Sequence, residues 1–325
     1  MASRVSIARE PSAGRKQRGF ALLVVLSALG LLAIVAASFA HVARTHIKVA
    51  AVAGAGARAE ALADAGVQIV IMDLVAARES GSLSRRFALD ATPLACSAGN
   101  GAFLTLAVQD EAGKVDLNIA SPMLIRALVL GLAAGAGEAA VDAILDYRDQ
   151  DDSRRIFGAE RAEYLAAGRT HRPRNGPFVA VEELASVLGL TQADADRLRP
   201  AVTIHSGLPA IDANVAPTAL VEALARGLDQ GGGLGLLEGE AGPAPSDLPA
   251  RQHRTGLPPQ FLSASTRKAF AVRAEARTAG GATFVREAVV EFVATAAAAF
   301  QIRRWYRGSA AMTGTAAGPE TLPPC

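Results

Sequence analysis

The chain opens its structured part with an uninterrupted apolar run. From Phe20 to Ala40 there are 21 residues without a charge, broken only by Ser27, Gly30 and Ser38. At about 1.5 Å per helical residue this spans about 30 Å, the thickness of a bilayer hydrocarbon core. The helical pattern then continues through alanine-rich sequence, with Leu62, Val67, Ile69, Val70, Met72, Leu74 and Val75 supplying an apolar face. Glu79-Ser80-Gly81-Ser82 predicts its end, so one helix is expected over Phe20–Arg78, softened at Gly54, Gly56 and Gly66.

Beyond that spine the period changes. Residues 101–108 alternate as a strand and stop at the polar turn Gln109-Asp110-Glu111-Ala112-Gly113-Lys114. Helical patterning follows and contains an internal repeat. Val115-Asp116-Leu117-Asn118-Ile119-Ala120 precedes a helix bearing Leu124, Ile125, Ala127 and Leu128. Ninety-six residues on, Ile211-Asp212-Ala213-Asn214-Val215-Ala216 precedes one bearing Leu220, Val221, Ala223 and Leu224. Asp and Asn ahead of a helix are capping residues, which reads as two capped helices of one bundle without a ligand. Residues 269–276 and 283–293 predict a hairpin turning at Ala279-Gly280-Gly281, and Phe300–Trp305 a last strand. The fold class expected is α+β, with a helical domain inserted between strands.

Composition refines this picture. Half the residues are apolar but only 5% are aromatic, and the excess is alanine, which suits close packing through small side chains. Residues 1–19 carry Arg4, Arg9, Arg15, Lys16 and Arg18 against Glu10, a net of +4. The total is +2, so the other 306 residues carry about −2 and have no global attraction for nucleic acid. Arg15, Lys16 and Arg18 beside the apolar run predict a cytoplasmic N-terminus. The two cysteines, Cys96 and Cys325, form neither a disulfide framework nor a metal cluster. They could pair in an oxidising compartment, although Cys325 reads as part of a mobile tail.

A buried core helix would rarely be so long and uncharged. A secretory signal peptide finds a cleavage candidate at Ser38-Phe39-Ala40, but 21 apolar residues exceed the usual ~7–15 of such a segment. The junction Arg18-Gly19-Phe20 suggests something else, because it resembles the type IV prepilin and type II secretion pseudopilin signal. The resemblance implies that prepilin peptidase cuts between Gly19 and Phe20 and that Phe20 becomes the N-methylated terminus of a retained helix. Pilins usually carry Glu at the fifth mature position, and here that position is Val24. In a filament that glutamate meets the N-terminal amine of the subunit above. A subunit with nothing above it would only bear the cost of a carboxylate in lipid.

Between the repeats the order Ala143-Ile144-Leu145-Asp146-Tyr147-Arg148-Asp149-Gln150-Asp151-Asp152, Gly158-Ala159-Glu160, Asn175-Gly176-Pro177-Phe178 and Val181-Glu182-Glu183-Leu184 is distinctive. With the leader and Val24, it resembles minor pseudopilin K of the type II secretion system over most of residues 19–215. The resemblance implies a pilin-like fold with an all-helical insertion. It implies a cap at the pseudopilus tip, helping to initiate its assembly, in complex with minor pseudopilins I and J. It further implies a single-pass inner-membrane protein with a periplasmic C-terminal domain. The organisation expected is a leader over 1–19, a transmembrane helix over 20–40, spine and first strand over 41–114 and an inserted helical domain over 115–228. A flexible loop over 229–260 and C-terminal strands and tail over 261–325 complete it.

Two chemical readings of the insert remain. Asp146, Asp149, Asp151 and Asp152 put four carboxylates in seven residues, candidates for calcium, which takes six to eight oxygens. The spacing is not an EF-hand, and Arg148, Arg154 and Arg155 could neutralise the same acids without any cofactor. Glu183-Leu184 followed by Leu188-Gly189-Leu190 is similar to a helix-hairpin-helix unit, yet Thr191-Gln192-Ala193-Asp194 puts an acid where phosphate would sit. His41, His46, His171, His205 and His253 lie outside recognised ligand spacings, and no nucleophile with its base is evident, so no enzyme is expected. The competing readings are a type IV pilus minor subunit, a membrane-anchored nucleic-acid-binding protein and a secreted enzyme.

Overall fold

The computed structural model describes residues 17–81, 86–230, 256–295, 298–308 and 322–325. The leader before residue 17, most of the expected 229–260 loop and His253 lie outside the described residues. The chain forms two compact units, residues 1–57 and 58–325. Helix α1 (Gln17–Glu79) supplies the first unit up to Ala57 and belongs to the second from Arg58 onward.

In the first unit, the residues from Phe20 onward are nearly all exposed, including Leu22, Leu23, Leu31, Leu32 and Ile34. This is the one stretch among the described residues long and apolar enough to cross a membrane on its own, and none of it is buried within the protein.

The second unit is built on a five-stranded antiparallel sheet: β1 (Leu94–Gly99), β2 (Ala102–Asp110), β5 (Ala269–Arg277), β6 (Thr283–Thr295) and β7 (Ala298–Arg307), in that spatial order. Ala59, Ala63, Val67, Val70, Ile71 and Leu74 recur at helical spacing and pack on Leu104, Leu106, Val108, Val272, Ala274 and Ala276. Small residues bring helix and sheet close: a Cβ on Gly66 would stand 2.8 Å from the Leu106 side chain and 3.2 Å from Ala274. Gly66 therefore seats the helix rather than softening it. Met72, expected on the apolar face, points outward and is 66% exposed.

Strands β2 and β5 are neighbours, with Val108 opposite Val272, yet 158 residues separate the end of one from the start of the other. Everything helical in that interval is an insertion between adjacent strands. It comprises β3 (Val115–Asp116), α2 (Pro122–Leu132), α3 (Gly137–Arg148), α4 (Arg161–Ala166), α5 (Gln192–Leu198), β4 (Val202–Thr203) and α6 (Thr218–Gln230), around a core separate from that of the sheet. The spine, antiparallel sheet and helical insertion expected of a pilin-like α+β fold are thus present.

The end of the chain departs from expectation. Instead of trailing loose, residues 323–325 lie alongside β1: the Ser97 N–H donates to the Pro323 carbonyl at 2.7 Å and the Cys325 N–H to the Ser97 carbonyl at 3.0 Å. Cys325 is disulfide-bonded to Cys96, with Cα atoms 5.0 Å apart.

Candidate functional site

The internal repeat is built the same way twice. One Asp116 carboxylate oxygen accepts the Asn118 N–H at 2.9 Å, and one of Asp212 accepts that of Asn214 at 2.8 Å. The Asp116 carbonyl accepts from Ala120 and that of Asp212 from Ala216, both at 2.9 Å, which turns each segment toward its helix. The second carboxylate oxygen closes a long loop in each copy. Asp116 accepts the Ser206 hydroxyl and the Gly207 N–H, and Asp212 accepts the Ser265 N–H. The Ser265 hydroxyl also donates to Asp110 at 2.5 Å; burial pushes that carboxyl up to about 6.

The same 96-residue offset governs how α2 and α6 meet. A Cβ on Gly131 would stand 2.0 Å from the Ala223 carbonyl oxygen, and one on Gly227 would stand 1.9 Å from that of Ala127. Ala127 and Ala223 are repeat-related, as are Gly131 and Gly227. The helices therefore cross on reciprocal small residues, a local two-fold relation within one chain.

The acidic segment follows α3 and folds back over it. Asp146 is fully buried; it accepts the Arg155 N–H at 3.2 Å and pairs with the Arg155 guanidinium at 3.2 Å. Asp149 pairs with Arg155 at 3.4 Å through one oxygen, while its other oxygen is buried without a hydrogen-bond partner. Asp151 accepts the Ser153 N–H at 2.7 Å, and Asp152 the Asn175 amide at 2.8 Å. Of the three arginines expected to neutralise these acids, Arg155 is the one that forms ion pairs with them, while Arg148 acts on Asp149 through its charge. Arg148 donates to the Leu117 and Ala120 carbonyls ahead of α2, and Arg154 pairs with Glu163.

A residue that sequence reasoning passed over completes the cluster. Glu160 is 4% exposed, and both its carboxylate oxygens lack a hydrogen-bond partner, as does the Asn175 side-chain oxygen. Burial, followed by the Asp146 and Asp149 charges, pushes the Glu160 carboxyl up to about 7. Burial also raises Asp146 and Asp149. Among the described residues no three His, Cys, Asp or Glu side chains already stand grouped as a metal site. The donor set is nevertheless oxygen only, with orphaned oxygens from Asp149, Glu160 and Asn175, and such atoms suit a hard cation such as calcium.

The family model for type II secretion system protein K matches residues 110–207. The match covers 98 of the 325 residues, so it is a likeness of the middle of the chain to that family. The match begins at Asp110 and ends at Gly207, whose N–H closes the first repeat on Asp116. No curated protein matches the chain. Among solved structures it is similar to a chain of the GspK-GspI-GspJ complex from the enterotoxigenic Escherichia coli type 2 secretion system. Identity is 17% over 82% of this chain and 99% of that one, with a TM-score of 0.49.

Within the matched residues the helix-hairpin-helix resemblance has a local explanation. Gly189 takes φ +91°, passing closely over the start of α3, and leads to Thr191 at the N-cap of α5. Asp194 accepts the Thr191 N–H and hydroxyl, and the Thr191 oxygen accepts the Asp194 N–H. The Thr191 hydrogen bond holds the Asp194 carboxyl below its usual range. An ionised carboxylate therefore occupies the helix start that a phosphate would need. The exposed His171 meets the Ser186 carbonyl at 3.0 Å and the edge of the Tyr164 ring, and burial lowers His205.

Phe20 and Val24, singled out in the sequence, lie in the first unit. Phe20 lies in α1 and is 73% exposed, and Val24 is 49% exposed among the other apolar side chains.

Proposed function

We propose that this chain is the minor pseudopilin that caps the tip of the type II secretion pseudopilus and helps to initiate its assembly for export across the outer membrane. It is made as a precursor, cut between Gly19 and Phe20 by prepilin peptidase and N-methylated at Phe20. Its retained helix spans the inner membrane once, N-terminus cytoplasmic, with the second unit periplasmic. Its partners are minor pseudopilins I and J.

The observation that carries the tip assignment is Val24 in an apolar helix whose side chains are bare within the protein. A carboxylate at that depth is tolerated only against a cation, and the cation in a filament is the N-terminus of the next subunit. With an apolar residue there, the helix enters the filament with no amine to receive. Epitope-labelled protein on sheared pseudopili tests this. One label at a single end is expected, and labels along the length would refute it.

A second reading concerns the acidic cluster. Asp146, Asp149, Asp151, Asp152 and Glu160, with the Asn175 oxygen, would hold a calcium ion that stabilises the segment between α3 and α5. The orphaned oxygens of Glu160 and Asp149 support it. Calcium-dependent melting, absent in Glu160→Gln with Asp149→Asn, is the test.

A further inference from the structure

Beside the acidic cluster the second unit exposes large apolar side chains. Ile156 and Phe157 lie side by side in the turn between α3 and α4, 80% and 59% exposed, and Leu165 on α4 is 63% exposed. The turn is held at its base: the Arg155 N–H bonds Asp146, the Phe157 N–H bonds Asp142 at 3.0 Å, and the Gly158 N–H bonds the Arg155 carbonyl at 3.1 Å. Gly158 fits tightly there, since a Cβ would stand 2.0 Å from the Asp146 carboxylate. Two bulky side chains on an ordered turn are presented, and a bare apolar projection of this kind marks a contact surface.

The surroundings say what kind. Residues 153–174 hold six arginines against Glu160 and Glu163. Arg154 pairs with Glu163, Arg155 with Asp146 and Asp149, and Arg174 with Glu183. Arg161, Arg169 and Arg172 are exposed, and among the described residues none has a carboxylate within ion-pair distance. The Arg154–Glu163 pair ties the apolar turn to α4, and α4's Arg161 and Leu165 share an open cleft of about 580 Å³ with Arg172 and Arg174 and with the acids Asp152 and Glu160.

We propose that this segment, the exposed Ile156 and Phe157 together with the exposed Arg161, Arg169 and Arg172 that follow them in the chain, docks on an anionic lipid surface. Apolar tips enter the boundary between headgroups and acyl chains, while guanidinium groups meet phosphates in a planar, bidentate fashion. The cations are spread over α4 and the following loop. A fluid surface offering phosphate everywhere accepts that arrangement more readily than one fixed set of partner carboxylates does.

The test keeps the full chain, held by its own apolar helix in phosphatidylcholine nanodiscs, and mixes it with separate vesicles of phosphatidylcholine and phosphatidylglycerol. Co-flotation is expected with the anionic vesicles and not with pure phosphatidylcholine vesicles or empty nanodiscs. Ile156→Ser with Phe157→Ser, and separately Arg161→Gln with Arg169→Gln and Arg172→Gln, should each lower it at least tenfold with unchanged thermal melting. Absence of wild-type flotation, or flotation equal in all variants, overturns the proposal. It is also overturned if vesicles are ignored while the arginine variant loses binding to purified minor pseudopilins I and J, which assigns the face to protein.

Discussion

Arg286 on β6 holds Asp64 of α1 at 2.6 Å. The same guanidinium reaches Glu60 at 2.7 Å and lies against the rings of Phe284 and Trp305, about 5 Å from each centroid. Asp64 and Glu60 are one helical turn apart, so a single cation from the sheet clamps the helix face beside its alanine seam. The arginine is nearly buried while both carboxylates remain partly exposed, so it is the partner whose environment depends on the pairing.

Removing that cation should therefore matter more than removing either acid. Arg286→Met is expected to destabilise the second unit by about 1–3 kcal/mol, below the range for fully buried pairs because the acids keep their water. Asp64→Asn should cost less, about 1 kcal/mol. Thermal melting followed by circular dichroism measures both, and an acid substitution costing more than the arginine would contradict the clamp.

The crossing of α2 and α6 makes a sharper demand. Adding one methyl at Gly131 or Gly227 drives it into the facing backbone, which cannot rotate aside. Each Gly→Ala substitution should cost about 2–3 kcal/mol although alanine favours helices. Gly135, with nothing within 4 Å of its Cβ position, provides the control, where Ala should be neutral. Urea unfolding of the full chain in detergent distinguishes the sites.

Glu160 gives the protein a pH dependence of definite sign. Its carboxyl is raised to about 7 in the folded chain, so between about 4.5 and 7 the folded state keeps a proton that the unfolded chain has released. Its contribution is complete below about 4.5 and is lost as pH rises through 7. Metal-free protein should thus lose up to about 3 kcal/mol across that window, and Glu160→Gln should flatten the slope. Calcium, which needs the carboxylate ionised, should bind more tightly as pH rises through 7. Melting series with chelator and with calcium read both effects.

The Cys96–Cys325 bridge joins residues 229 apart in sequence, so in the chain-entropy account it contributes up to about 5 kcal/mol. Cys96→Ser with Cys325→Ser, or reduction, should lower the melting temperature and speed amide exchange at Ser97, which now bonds residues 323 and 325. Unchanged exchange there would show that the tail is held without the bridge.

What could be read beforehand followed from local pattern. The spine, the hairpin at Gly280-Gly281 and the two aspartate-capped helices each depend on residues near in sequence, so period and capping chemistry reveal them. Groups that meet across long separations were not legible. Glu160 looks like an ordinary surface acid until α4 turns it toward Asp146 and Asp149. β1 went unrecognised because Leu94–Gly99 is short and rich in small residues and finds its place only by pairing with β2 and the chain's end. Met72 reads as inward from the sequence because an apolar side chain carries no mark of which side of a helix meets the sheet. Met72 and Ile71 are adjacent in sequence, yet only Ile71 is buried.

The proposed function requires that Phe20 begin a helix retained in the mature protein. Intact-mass and N-terminal analysis of the membrane-bound protein tests it most directly. A chain starting at N-methyl-Phe20 with the apolar helix in place is expected; a soluble chain starting at His41, the helix removed, would refute the proposal.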